Sequence, residues 1–532
     1  MKVSKVDVQD IRFFSKLIKD YLNQDPGLKD LYHRYPSLEN FQAQIDEKKQ
    51  GWKNAQLKRS ILVDTLLEQY QNMEDWATTR RHIELLRSEH CFTITTGHQL
   101  NLFTGPLYFL YKIVSTINLC KDLRAAHPQN SFVPVYWMAT EDHDFEEIQF
   151  FNYGRDKVVL DKDGAGAVGR MDTGGLDEIY REFKELLGNS DHALQIIELF
   201  KKSYLTHHNL ADATRALAHE LFKDDGLVII DADAPSLKGL FVPTCEDELL
   251  HEVSYNAVSD TIDNWPDTYN IQVNPREINL FYLTDDYRSR IIKVGENYTI
   301  DGQSKSFTQQ QILEELHNHP ERFSPNVIMR PLYQETILPN LCYIGGGGEL
   351  AYWLQLKEYF MRVKVVFPML LLRNSALIVS SKQAGKLERL DLEMTDLFKE
   401  PHLLANQITR DVSKIDIDFS QQITFLKAQF SDLYQLAHKT EKSFETAVAA
   451  QEQKQVNGLE YLEKRLLKAQ KRKLTDYVDR GLRLQDTLFP GGSLQERQVN
   501  FSFLYEVYGN DLIEAIKQSL DPLDSRFTVI EM

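Results

Sequence analysis

The stretch FVPVYWMATEDHDFEEI, residues 132–148, carries an apolar, partly β-branched run straight into Glu141, Asp142, His143 and Asp144. A short apolar run closed by charges reads as a buried strand whose carboxyl end presents the polar groups. Comparable runs recur at CFTITT (91–96), GLVIID (226–231), NVIMRPL (326–332), LCYIG (341–345) and ALIVSS (376–381), with helical spacing between them. That alternation predicts an α/β fold with a largely parallel sheet.

Open α/β sheets bind ligands beyond the carboxyl ends of their strands, so the residues that follow each run are the site candidates. They are Gly97, His98 and Gln99; then Glu141, Asp142, His143 and Asp144; then Asp231 and Asp233. NVIMR leads to Arg330, Gln334 and Glu335, and LCYI leads to Gly345, Gly346, Gly347, Gly348 and Glu349. If the strands are parallel neighbours, all these clusters meet on one rim. The four-glycine turn opens a helical segment, where backbone N–H groups and the positive helix end favour phosphate or carboxylate. Glu349 and Trp353 on that helix are placed to hold an amine or a ring. Thr104 and Gly105 mark the start of the helix YFLYKIVSTINLCKDL, on which Lys112 is a further charge. Arg330 and Arg373 are basic candidates for a substrate anion or for an internal ion pair.

The acidic cluster admits three chemistries. Carboxylates and imidazole suit Mg²⁺, Mn²⁺ or Zn²⁺, a carboxylate can move a proton, and a solvated turn has the same composition. Consecutive residues seldom all ligate one ion, so no metal is assigned. Residues 164–169 match the dinucleotide fingerprint G-x-G-x-x-G, but polar turn sequence follows them instead of a helix, and they read as a hairpin tip. No Walker loop, H-E-x-x-H or G-x-S-x-G is present.

A chain of 532 residues implies two to four domains. Its net charge of −17 argues against a general nucleic-acid or membrane-surface binder. The four cysteines Cys91, Cys120, Cys245 and Cys342 are widely spaced, which fits a reducing cytoplasm. The N-terminal residues show neither a signal nor a transit pattern.

Residues 1–90 read as helical and packed on the core. Residues 91–381 form the α/β core, with insertions at about 150–223 and 235–323. Residues 382–485 are helical, with a coiled coil at about 418–485, and 486–532 return to the core. Ile423, Leu426, Phe430, Leu433, Ala437, Thr440 and Phe444 step by three and four, and Leu459, Leu462, Leu466 and Ala469 resume after a polar break at 451–458. An antiparallel helix hairpin turning at that break is the expectation.

Four stretches in this order, TGHQLNLFTGPLYFLYKI, PVYWMATEDHDFEEI, RPLYQETILPNLCYIGGGGELAYW and LFPGGSLQER, resemble the bacillithiol biosynthesis cysteine-adding enzyme family (cysteine ligase BshC). The resemblance covers nearly the whole chain. It implies a Rossmann-like core with two connecting-peptide-like insertions, similar in layout to class I aminoacyl-tRNA synthetases, and a C-terminal coiled coil that pairs two subunits. It implies an amide bond between the carboxyl of L-cysteine and the amine of glucosaminyl malate. Thr95-Thr96-Gly97-His98 looks like a reduced H-x-G-H signature, whereas residues 379–382 are a poor K-M-S-K-S counterpart. An amide does not form from a free carboxylate at neutral pH, so ATP is expected as activating co-substrate, with Mg²⁺ a candidate companion of the nucleotide. On this reading His98 and the glycine amides contact the phosphoryl or carboxylate group. Asp142 or Asp144 takes the amine proton, with His143 beside them, and Glu335, Glu349 and Trp353 shape the pocket. A metal-dependent hydrolase or transferase centred on Asp142, His143 and Asp144, and a non-catalytic coiled-coil assembly protein, are the alternatives.

Overall fold

The computed structural model describes residues 1–532. They divide into two compact units, one comprising Met1–Gln9, Phe13–Leu377 and Gln495–Ile530, the other Asp10–Arg12, Ile378–Leu494 and Glu531–Met532.

The first unit is built on a five-stranded parallel sheet: β1 (Cys91–His98), β2 (Ser131–Met138), β3 (Val228–Asp231), β4 (Asn340–Gly345) and β5 (Met369–Leu372). Their spatial order is β5-β4-β1-β2-β3, and every neighbouring pair is parallel. Strands covered on both faces read as continuous apolar runs, and all of β1 is buried. On one face Phe92, Ile94, Phe132, Leu341, Ile344 and Leu371 pack with Leu119 and Leu123 of the helix Tyr108–Ala126 and with Phe41 and Ile45 of the helix Leu38–Gly51. The chain leaves β1 toward β2 and later returns on its other side as β4. The loops after β1 and β4 therefore diverge, which opens a crevice at this switch point. This is the Rossmann-like arrangement expected of the sequence.

Three local expectations are corrected. NVIMRPL is not a strand: Asn326 Oδ1 accepts from the N–H groups of Ile328 and Met329, and the helix Arg330–Ile337 follows with Pro331 in its first turn. Short apolar runs do not distinguish a strand from a buried helix start. The fifth strand is Met369–Leu372, and Ala376–Val379 is a strand outside the parallel sheet. Residues 164–169 are not a hairpin tip, since the hairpin joins Phe150–Tyr153 to Asp156–Val159. Gly166 has φ +63°, and a Cβ there would lie 2.4 Å from the Asp285 carbonyl oxygen, so glycine answers a close approach between loops.

Between β3 and β4 lies a five-stranded antiparallel sheet of Ser306–Thr308, Asn297–Ile300, Arg288–Val294, Leu280–Leu283 and Phe323–Pro325, in that spatial order. From the C-terminal part of the unit, the Asn500 amide donates to the carbonyls of Phe103 (2.7 Å) and Gly105 (2.6 Å).

The second unit contains an antiparallel hairpin of the helices Ser420–Ala437 and Lys442–Lys473. Phe430, Ala437 and Val448 bury one another along its seam, flanked by Leu426 and Tyr434. Tyr434 Oη donates to Glu452 at 2.8 Å. The turn falls at 438–441, ahead of the polar stretch 451–458, which continues as helix. Gln, Glu and Lys propagate a helix well, so polarity alone was a poor mark of its end. The helix Thr475–Leu488 packs on Pro401–Val412, where a Cβ on Gly481 would collide with Ile408.

Candidate functional site

A cavity of about 660 Å³ opens at the carboxyl ends of β1, β2 and β4. His98, Lys112, Asp142, Arg288, Arg330 and Glu349 line it, drawn from four stretches far apart in sequence.

On the β1–β4 side the charges are matched, with Lys112 buried and Glu349 half-buried. Lys112 Nζ donates to the Gly97 carbonyl at 2.7 Å and lies 2.5 Å from Glu349 Oε2. Glu349 also accepts from Tyr343 Oη (2.6 Å) and from the Gly346 N–H (2.8 Å). Burial works against its charge, yet Lys112, Tyr343 and that N–H together hold its carboxyl below the usual range. The His98 ring packs between Tyr108 and Phe109, and its Nε2 is buried without a hydrogen-bond partner. Burial, reinforced by the Lys112 cation, pushes the imidazole down to about 3, so it is neutral at physiological pH.

Arg330 lines the cavity as a half-buried cation with no carboxylate in contact. Its guanidinium lies 5.5 Å from the Tyr343 ring centroid and 6.0 Å from that of Trp137. It donates to Gln334 Oε1 (3.1 Å) and Tyr352 Oη (3.3 Å), but no carboxylate approaches within ion-pair distance. A half-buried guanidinium whose contacts are neutral oxygens keeps donors for a charged partner, so this position suits an anionic ligand.

On the β2 side, residues 139–144 form the acidic loop. Asp142 accepts from the Gln99 amide at 3.2 Å and from the His143 N–H at 2.8 Å, and its Oδ1 is 4.0 Å from Arg288. Burial alone would raise its carboxyl, but the bonds from His143 and Gln99 and the Arg288 charge bring it well below the ordinary range. Arg288 also stacks on Phe281 at 4.0 Å and donates to His143 Nδ1 at 3.1 Å. The nearest ligand atoms of Asp142, His143 and Asp144 lie within 4.8 Å of one another. A guanidinium already stands against two of the three. Glu141 also lines the cavity and is held in an ion pair with the buried Lys238.

The glycine-rich loop at 164–169 braces this cluster. The Val168 N–H donates to the Asp142 carbonyl (2.7 Å) and the Gly169 N–H to that of Thr140 (2.8 Å). A Cβ on Gly169 would sit 2.6 Å from Thr140 Cβ.

Several candidates fall elsewhere. Gln334 and Glu335 are fully buried, and Glu335 accepts from Lys48 (2.9 Å) and Asn340 (2.6 Å) beneath the cavity floor. Neither lines the cavity: Glu335 holds β4, and Gln334 bridges Glu335 to Arg330. Trp353 is also fully buried, stacked on Tyr343 at 4.7 Å, and Tyr352 reaches the cavity in its place. Gly345, Gly346, Gly347 and Gly348 do not line the cavity, and the Gly346 N–H is taken by Glu349 as a cap. The backbone amides thus serve a carboxylate of the protein itself. Thr104 and Gly105 lie in a tight turn with φ of 69° and 61°, ahead of the helix they were expected to cap. Asp231 accepts from Thr140 Oγ1 at 2.6 Å and supports the acidic loop from behind. Arg373 pairs with the buried Glu496 at 2.7 Å.

Sequence reasoning passed over Arg276, Arg288 and Arg290, which line the cavity from the antiparallel sheet and the segment before it. The signal was present: R-S-R at 288–290 opens a strand, and alternation sends both arginines to one face.

Two family models span the chain: "Bacillithiol biosynthesis BshC, N-terminal Rossmann-like domain" over residues 1–374 and "Bacillithiol biosynthesis BshC, C-terminal coiled-coil domain" over 376–532. A relative from Flavobacterium johnsoniae called "Putative cysteine ligase BshC" is 54% identical, with all of both chains covered. Relatives of the same name from Flavobacterium psychrophilum and Christiangramia forsetii are 52% and 51% identical; each alignment covers this whole chain, with 100% and 99% of the relative. A Campylobacter jejuni structure titled a putative arginyl-tRNA synthetase covers 84% of this chain and 98% of its own, with 11% identity and a TM-score of 0.21, too low to bear on the fold. Matched along both of its parts, the chain belongs to the bacillithiol biosynthesis BshC family.

Proposed function

We propose that this chain is a cysteine ligase that joins the carboxyl of L-cysteine to the amine of glucosaminyl malate, forming bacillithiol. The observation that carries the reading is the pairing, in one cavity, of a half-buried cation that no carboxylate touches with an acidic loop: Arg330 on one side, Asp142 and Asp144 on the other. Arg330 suits the carboxyl or phosphoryl group of the activated acid, and the acidic loop suits the ammonium of the acceptor.

ATP activates the cysteine carboxyl as an adenylate or acyl phosphate, with Mg²⁺ accompanying the nucleotide. His98, neutral and with Nε2 unpartnered, donates to or accepts from that group without adding charge. The amine must lose a proton before it attacks. Asp142 is a weak base because its carboxylate is so strongly stabilised, so its work is to hold the His143 backbone N–H, Gln99 and the Arg288 charge in place. Asp144, exposed and 4.0 Å from His143 Nε2, takes the proton. Collapse of the tetrahedral intermediate then expels AMP or phosphate and leaves the amide.

The reading extends to assembly and location. Phe425, Leu436, Tyr461 and Leu462 of the helical hairpin are 74%, 54%, 59% and 52% exposed, which favours pairing with a second copy. No helix is long and apolar enough to cross a membrane, and the pathway's soluble substrates argue for the cytoplasm.

The test is incubation of the protein with ATP, L-cysteine and glucosaminyl malate, followed by mass spectrometry. Bacillithiol with stoichiometric AMP or ADP is expected, AMP indicating the adenylate and ADP the acyl phosphate. Full synthesis by correctly folded Arg330→Ala and Asp144→Asn variants would refute the assignment. Sedimentation reads the dimer, which Phe425→Glu should dissociate by placing a charge on the exposed apolar face.

A further inference from the structure

We infer that Arg276 and Arg290 form a dicarboxylate subsite that fixes which end of the amine-bearing substrate faces the acidic loop. The inference rests on the ligase reading. A second cavity of about 340 Å³ adjoins the first, and Arg276 and Arg290 line both. Arg290 stands opposite Phe281 in the antiparallel pair Leu280–Leu283 with Arg288–Val294. Strand alternation puts Arg288 and Arg290 on the same face.

The three arginines are committed to different degrees. Arg288 is engaged by His143, Ser324 Oγ (3.0 Å) and the Pro325 carbonyl (3.0 Å). Arg290 has one carboxylate, Asp301 at 3.6 Å, and both side chains are about half exposed, so that pair is weak and readily exchanged. The guanidinium of Arg276 has no carboxylate within ion-pair distance. Two guanidinium forks at one junction match two carboxylates, each able to take a bidentate pair.

Across the main cavity lie Asp142 and Asp144, which repel carboxylates and attract an ammonium. A substrate with an amine at one end and two carboxylates at the other meets this order of charge in one orientation. Phosphate shares the anion chemistry, so the triphosphate of ATP is the rival occupant.

Titration calorimetry separates them without turnover, using glucosaminyl malate, methyl glucosaminide (the same amine sugar without carboxylates) and ATP. The proteins are the wild type, Arg276→Ala, Arg290→Ala and the double variant, each checked for folding by circular dichroism. The malyl compound is expected to lose at least 30-fold in affinity in the double variant, with methyl glucosaminide and ATP within twofold of wild type. In turnover, KM for glucosaminyl malate should rise while kcat stays within twofold. Unchanged malyl affinity, an equal loss with methyl glucosaminide, or a loss confined to ATP overturns the proposal. If the malyl compound binds through these arginines but no amide forms, the ligase reading fails and the subsite stands.

Discussion

Arg288 Nη1 lies 3.1 Å from His143 Nδ1, and this contact decides where the proton of His143 resides. A guanidinium only donates, so Nδ1 must accept and the neutral ring carries its proton on Nε2, toward Asp144. The acidic loop is thereby a wired unit in which an arginine from a different sheet sets the tautomer of a histidine. Arg288→Ala should lower kcat by about 10–100-fold, by analogy with the loss of a partner that orients a metal-bound histidine. Arg288→Gln, which can still donate, should recover part of it. Steady-state kinetics on both variants checks this.

Arg330 offers a sharper contrast between charge and shape. Arg330→Lys keeps the charge but loses the planar fork lying among Trp137, Tyr343 and Trp353. Both Arg330→Lys and Arg330→Ala should lose about 100-fold or more in kcat/KM, about 2.7 kcal/mol of transition-state stabilisation. Near-wild-type kinetics for the lysine variant would show that a point charge suffices.

The stability of the fold should carry a signature of His98. Its folded-state value of about 3 lies below the unfolded value of roughly 6.5, so the unfolded chain binds the extra proton. The contribution is complete above pH ~6.5 and declines as pH falls toward the folded value, by up to ~1.4 kcal/mol per pH unit. His98→Gln should flatten the dependence of unfolding free energy on pH between 4 and 6. Denaturant melts across that range provide the measurement.

Lys112 is buried and its partner Glu349 is a quarter exposed, so removing the lysine leaves a partly desolvated carboxylate unpaired. Lys112→Met should cost about 1–3 kcal/mol, and adding Glu349→Gln should restore part of the loss. Strict additivity in the double-mutant cycle would show that the two do not interact.

The loop at 164–169 can be tested by one methyl group. Gly169→Ala forces a Cβ against Thr140 and pushes the acidic loop aside, so activity should fall about 10-fold. Thermal stability should change little beside that loss; a large drop in Tm with kcat retained would contradict the bracing role.

In the second unit, the position of the turn has a direct consequence. Lys454→Pro lies inside the continuous helix Lys442–Lys473 and should destabilise the hairpin by about 3 kcal/mol. Circular dichroism would show lost helicity; a hairpin turning at 451–458 would tolerate the proline.

Much of this molecule is written locally. Buried parallel strands must be apolar throughout, so β1, β2, β3 and β4 stood out as short runs, and the charges at their carboxyl ends marked the crevice. Heptad spacing announced the helical hairpin for the same reason, since a seam must be apolar at fixed intervals. What tertiary structure alone decided is pairing. Nothing in the sequence near Glu335 shows that Lys48 neutralises it beneath the floor, or that Glu349 caps the glycine turn that looked ready for phosphate. Nor does R-S-R show that one arginine will orient His143 while the other stays at the cavity mouth. Burial and hydrogen-bond patterns repeat along the chain and can be read from it. The partner of a charge depends on which distant segments the fold brings within a few ångströms, and that relationship has no local period.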